Sequence, residues 1–398
     1  MRLHLLLLLC LFRLFTSINA QTVVERGKVI DSMVVTSTSD ETFALYLPNS
    51  FVDNSPQPIV FIFEPMARGA VGIKPFIDAS EKYGLILVCS NNSKNGPYDQ
   101  NFAFANTLFN HVFSNFNIRQ DEMYVSGFSG GSRLASAIAS LTNRFVGVIG
   151  CGAGFSGLQE HMPATQDYAY VGLCGNRDMN YNEMLENKAY LNLINFNSTL
   201  ITYNDTHNWP APQQITRAFD WLRLQRIKKT NPAGIDEILT FYQDDYARLH
   251  HFLKEKEFLF ASEQYERMIN DYKDHIQIDS LDGQYRLFKK SKDYKKTAAA
   301  LEDALKTEEK LNSVFRDRFS QEFEQSDSFN ATWWKKELEK LSVLGEKGDA
   351  EIQKMVARVN YDLFARAYVR RSMLQSISDS LQIISLTQLL KLVNPKVQ

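Results

Sequence analysis

The segment Met123-Tyr124-Val125-Ser126-Gly127-Phe128-Ser129-Gly130-Gly131 decides how the rest of the chain is read. Met123-Tyr124-Val125 is a short apolar run suited to a strand. Ser132 to Leu141 carries Leu134, Ala135, Ile138 and Leu141 at helical spacing. Between them, Gly127 to Gly131 fits G-x-S-x-G, the sharp strand-to-helix turn that lifts a serine hydroxyl clear of a parallel sheet. The glycines have a mechanical reason. The serine sits at a strained backbone position, and Gly127 and Gly131 leave room where strand and helix nearly touch. Ser129 is the candidate nucleophile.

The flanking sequence supplies such a sheet. Apolar runs at Phe43 to Leu47, Pro58 to Phe63, Leu85 to Val88, Met123 to Val125, Val146 to Ile149, Tyr168 to Leu173 and Leu200 to Tyr203 are separated, from Ile73 onward, mostly by helical stretches. This βαβ rhythm predicts a mainly parallel sheet covered on both faces, an α/β fold of the α/β-hydrolase type. Functional groups then belong at the carboxyl ends of the strands.

Serine needs a base to take its proton. In this fold the chain order is Ser, then Asp or Glu, then His. The chain has 7 histidines. His4 leaves with the N-terminal segment described below, and His111 precedes the serine. His161, His250, His251 and His275 sit in helix-like or polar contexts. His207 alone follows a strand, in Asn204-Asp205-Thr206-His207-Asn208-Trp209-Pro210. It is the candidate base. The strand Tyr168 to Cys174 leads into Gly175-Asn176-Arg177-Asp178, which makes Asp178 the candidate acid. Asp205 is too near His207 on the same loop to be preferred, and Glu183 and Glu186 are fallbacks.

An oxyanion hole needs two N–H donors. Gly130, the residue after the nucleophile, is one. The other belongs to Glu64-Pro65-Met66-Ala67-Arg68-Gly69-Ala70, the loop after Pro58 to Phe63. Pro65 has no N–H, so Met66 is expected, with Ala67 second. Arg68 could meet an acidic substrate group. Phe128, Trp209 and the loop Asn91 to Asn101 are candidate pocket walls.

Four stretches resemble α/β-hydrolase esterases of the polyhydroxybutyrate depolymerase and feruloyl esterase type. They are Pro58 to Phe63 with its loop, Ala79 to Val88, Phe116 to Gly131, and His207-Asn208-Trp209-Pro210, which matches that family's His-x-Trp-Pro. The resemblance covers roughly residues 40–225. It implies ester hydrolysis through an acyl-enzyme, without metal or cofactor, with Ser129, Asp178 and His207 as nucleophile, acid and base. Where many relatives have His-Gly, this chain has Glu64-Pro65.

The rest of the chain sets the frame. It has 398 residues, enough for two domains, and a formal net charge of −2, which argues against nucleic acid as main partner. Residues 1–20 read as a signal peptide: Arg2, the apolar run Leu3 to Phe15, and Ser17-Ile18-Asn19-Ala20 as cleavage site. That predicts a secreted or periplasmic protein without an integral membrane segment after cleavage. Cys89, Cys151 and Cys174 would remain, each in an apolar stretch and expected as a small buried residue, with at most one disulfide among them. Residues 21–228 form the expected hydrolase domain, 229–234 a linker overlapping the basic, proline-containing Arg226 to Pro232, and 235–398 a helical domain. In it, Leu301, Ala304, Leu305, Leu311, Val314, Phe315 and Phe319 lie along one helix side. Gly345 and Gly348 mark a turn. Ala261 to Tyr265 has the small-x-x-x-aromatic spacing of a tetratricopeptide-like hairpin, without a clean 34-residue repeat. This region is the candidate surface for a protein partner. The expected substrate is a small-molecule or polymer-derived ester. A serine peptidase on the same fold and a catalytically silent binding protein are the rival readings.

Overall fold

The computed structural model describes residues 24–230, 234–325, 328–375 and 380–394. The signal-peptide reading lies outside the described residues, and so does Pro395, which the sequence would place just past the last helix. Among the described residues, eight strands form one sheet: β1 (Val29–Val34), β2 (Thr42–Tyr46), β3 (Gln57–Phe63), β4 (Ile86–Ser90), β5 (Ile118–Phe128), β6 (Gly147–Cys151), β7 (Ala169–Gly175) and β8 (Ser198–Tyr203). Their order is β1-β2-β4-β3-β5-β6-β7-β8. The β1–β2 and β2–β4 pairs are antiparallel, and every pair from β4 to β8 is parallel. This is the α/β-hydrolase fold. All seven strands read from apolar runs are present. β1 was not expected, because only its first two positions and its fifth are part-buried and the run never alternates cleanly.

Helices pack on both faces: α1 (Gly69–Ile73), α2 (Ile77–Tyr83), α3 (Tyr98–Asn115), α4 (Gly130–Thr142), α5 (Tyr181–Leu193) and α6 (Pro212–Thr230). Side chains alternate across the sheet. Ile59, Phe61 and Phe63 enter one core with Val125, Leu134 and Ile138. Val60 and Ile62 enter the other with Ile149, Phe219 and Trp221. Continuous apolar runs are what a sheet buried twice requires. Cys89, Cys151 and Cys174 are free and buried, and desolvation pushes their thiols up.

The rest is helical: α7 (Ile235–Lys254), α8 (Phe258–Tyr272), α9 (Asp279–Lys290), α10 (Lys292–Phe323), α11 (Ala331–Lys347), α12 (Ala350–Gln375) and α13 (Ser380–Val393). The basic segment before Pro232 is not extended: α6 continues to Thr230, its Arg226 pairing with Asp121 and Glu122. α10 does not use a single stripe either. Ala304, Phe315 and Phe319 enter the helical core, Leu301 and Leu305 pack against Cys174, Tyr181 and Leu200, and Val314 is exposed. Gly345 lies inside α11, and only Gly348 caps it.

The helical region covers the open edge of the sheet. β8 is an edge strand, and its unpaired backbone groups would otherwise be open to another chain. Instead Glu263 of α8 accepts from Thr202 N–H at 3.1 Å and from its hydroxyl at 2.7 Å, while Arg267 donates to the Leu200 carbonyl at 3.0 Å.

Candidate active site

Three loops at the carboxyl ends of β5, β7 and β8 bring the sequence-nominated residues together. Ser129 follows β5 with φ 53° and ψ −119°, a left-handed strain that a serine accepts only when its surroundings hold it. Its N–H donates to Cys151 O at 2.8 Å, and the helix α4 starts at the next residue. Gly131 lets this turn close. A Cβ there would overlap the Phe63 carbonyl.

His207 Nε2 lies 3.0 Å from Ser129 Oγ, and its Nδ1 lies 2.9 and 2.8 Å from the two Asp178 carboxylate oxygens. Asp178 and His207 are both buried, and Asn180 N–H donates to Asp178 Oδ1 at 2.9 Å. The alternatives are committed elsewhere. Glu183 makes a two-point pair with Arg133 at 2.7 Å, and the Asp205 carboxylate binds Thr206 N–H.

Aromatic side chains fix the imidazole. The Phe128 ring lies 4.6 Å from it, centre to centre, and Tyr361 of α12 lies 5.4 Å away. Trp209 stands 5.3 Å from Phe128 and 5.9 Å from Phe76. Phe128 and Trp209 therefore brace the base rather than lining the main cleft. Burial first, then the charge of Asp178, pushes the Tyr361 hydroxyl above its ordinary range. Sequence gave no sign that a helix more than 150 residues downstream would reach the histidine, because nothing local specifies that packing.

The cleft beside Ser129 has a volume of about 310 Å³ and includes Glu64, Lys94, Asn95, Tyr98, Gly130 and Met179 in its wall. The Asn91 to Asn101 loop lines it, as the sequence reading expected. Two other expectations need correction. Arg68 does not face a substrate: its guanidinium binds Glu64, through Nε at 3.1 Å and through Nη2. Met66 N–H is not presented to the cleft either. It donates to Glu64 Oε2 at 2.7 Å, and that same oxygen takes Arg68 N–H at 3.0 Å. Ala67 N–H is bound by Glu64 O at 3.0 Å. The Glu64-Pro65 departure thus turns the loop's donors inward around a buried carboxylate. Gly130 N–H, at the first position of α4, has no acceptor within its helix and remains available.

Among the described residues no group of His, Cys, Asp and Glu could hold a metal ion, and no helix is long and apolar enough to cross a membrane. No family model and no curated protein matches the chain. Solved structures similar to it include the S-formylglutathione hydrolase of Staphylococcus aureus, at 17% identity over 50% of this chain and 99% of that one, TM-score 0.41. A ferulic acid esterase is similar at 13% identity over 49% and 96%, TM-score 0.41. An esterase of Pyrobaculum calidifontis is similar at 10% identity over 51% and 87%, TM-score 0.41.

Proposed function

We propose that this protein is a serine hydrolase that cleaves carboxylic esters through an acyl-enzyme, acting outside the cytoplasm after loss of residues 1–20. The observation that carries the proposal is the hydrogen-bonded line from Ser129 Oγ through His207 to Asp178. Serine attacks the ester carbonyl carbon while His207 Nε2 takes its proton. Asp178, accepting from Nδ1–H, fixes the imidazole tautomer and balances the charge that appears. The tetrahedral intermediate collapses, and His207 returns the proton to the leaving alcohol oxygen. Water, activated by the same imidazole, then releases the acid and restores Ser129. The His-x-Trp-Pro resemblance at His207 to Pro210 supports an ester over a peptide substrate.

Labelling with a fluorophosphonate tests this directly. The wild-type protein should label and Ser129→Ala should not, with hydrolysis of p-nitrophenyl acetate lost in parallel. A folded wild type that neither labels nor hydrolyses the ester would end the proposal.

A further inference from the structure

The inward-turned loop leaves one donor where acyl transfer wants two. The side chain nearest to the Cα of Gly130, on the side where a Cβ would stand, is Asn95. A Cβ placed on Gly130 would overlap the Asn95 carboxamide, so nothing separates the two. Both line the cleft with Ser129. The Asn95 backbone is held to the loop that lost its donors: Asn95 N–H donates to Pro65 O at 2.9 Å, and Met66 and Lys94 form an isolated antiparallel bridge. Asn101 pins the same loop, accepting from Lys94 N–H at 3.1 Å and donating to Lys94 O at 2.8 Å. Asn95 is exposed, so its carboxamide is free to turn.

We propose that Asn95 is the second oxyanion donor, its side-chain N–H replacing the main-chain N–H that Glu64 has captured. The inference rests on the Ser129 reading above. When Ser129 Oγ bonds to the carbonyl carbon, the carbonyl π pair moves onto oxygen. That oxygen lies against Gly130 N–H and the Asn95 amide. A half turn of the carboxamide exchanges its oxygen and nitrogen within the same volume, so the amide presents N–H to the growing negative charge. A side-chain amide can do this work, because an oxyanion hole is defined by donors aimed at the developing charge and not by their backbone origin.

The test compares wild type, Asn95→Ala and Asn95→Asp on p-nitrophenyl acetate, with melting temperatures and with a trifluoromethyl ketone as tetrahedral-intermediate mimic. The expected result for Asn95→Ala is a fall in kcat of about 10²–10³-fold with KM within a few-fold, matching the loss of one oxyanion donor. Affinity for the ketone should fall in parallel while the melting temperature holds. Asn95→Asp, which puts a carboxylate at the same place, should be at least as slow. A wild type active at Ser129 with Asn95→Ala within threefold of its kcat would overturn the assignment and mean that Met66 swings out on substrate binding. A wild type inactive toward esters and unlabelled at Ser129 would instead overturn the parent reading.

Discussion

Asp178 shows how much one carboxylate controls. It is almost fully buried, bonds His207 Nδ1 with both oxygens, and takes Asn180 N–H. An amide in its place has the same shape but offers N–H where the imidazole needs an acceptor, so the histidine is held in the wrong tautomer. Asp178→Asn should therefore lower kcat toward p-nitrophenyl acetate by about 10⁴-fold at neutral pH. Circular dichroism and melting temperature, which should stay near wild type, separate this from misfolding. The three residues of this line were legible in sequence because each follows an apolar run in the order the fold demands. Glu64 and Asn95 were not. Glu64 looked like a mere departure from His-Gly, and its capture of Met66 N–H depends on how a five-residue loop folds onto a buried carboxylate. Asn95 had only the signal of lying in a polar loop after a strand.

At the scale of elements, the seam between α6 and α8 is where charge has been buried. Asp271 on α8 accepts from Trp221 Nε1 and from Gln225 Nε2, each at 2.8 Å, with Lys228 3.8 Å away. Desolvation is the largest influence on its carboxyl and raises it above the ordinary carboxylate value, against the pull of Lys228 and the Trp221 bond. The sign follows. A carboxyl raised in the fold binds its proton more tightly there than in the unfolded chain. Its contribution to stability is full below the unfolded pKa and is lost as pH rises through the folded one. Asp271→Asn removes that loss and keeps an acceptor for Trp221. Melting curves of the two proteins between about pH 3.5 and pH 7 should show the variant gaining on wild type as pH rises. A difference that stays flat or moves the other way would show that Asp271 does not carry the charge penalty. Strands of the sheet were readable because burial on both faces demands unbroken apolar runs. The seam was not: Arg226-Ile-Lys-Lys-Thr230 reads as basic and linker-like, yet it continues α6 because Asp121, Glu122 and Asp167 pair with its cations.

For the molecule as a whole, the helical region packs onto the candidate active site and is not an appendage to it. Arg358 of α12 is fully buried, bonds Glu308 of α10 at 2.8 and 2.6 Å, and lies 5.0 Å over the Tyr181 ring. Its Nη1 donates 2.8 Å to the Asn176 carbonyl, two residues before Asp178. One turn on, Tyr361 packs against His207. Burial pushes the Glu308 carboxyl up despite the bonds from Arg358, so the pair is held together by the packing around it as much as by attraction. Removing one member leaves the other charge buried and alone. Arg358→Met should cost about 3–5 kcal/mol of stability. It should also free the Asn176 loop, so that kcat falls even at temperatures where the variant remains folded. The double variant Glu308→Leu/Arg358→Met discriminates between the two effects. Replacing the whole pair by apolar groups should return most of the stability. It cannot return the bond to Asn176 O, so kcat should stay low. Recovery of kcat together with the melting temperature would mean that the helices stabilise the sheet domain without positioning Asp178.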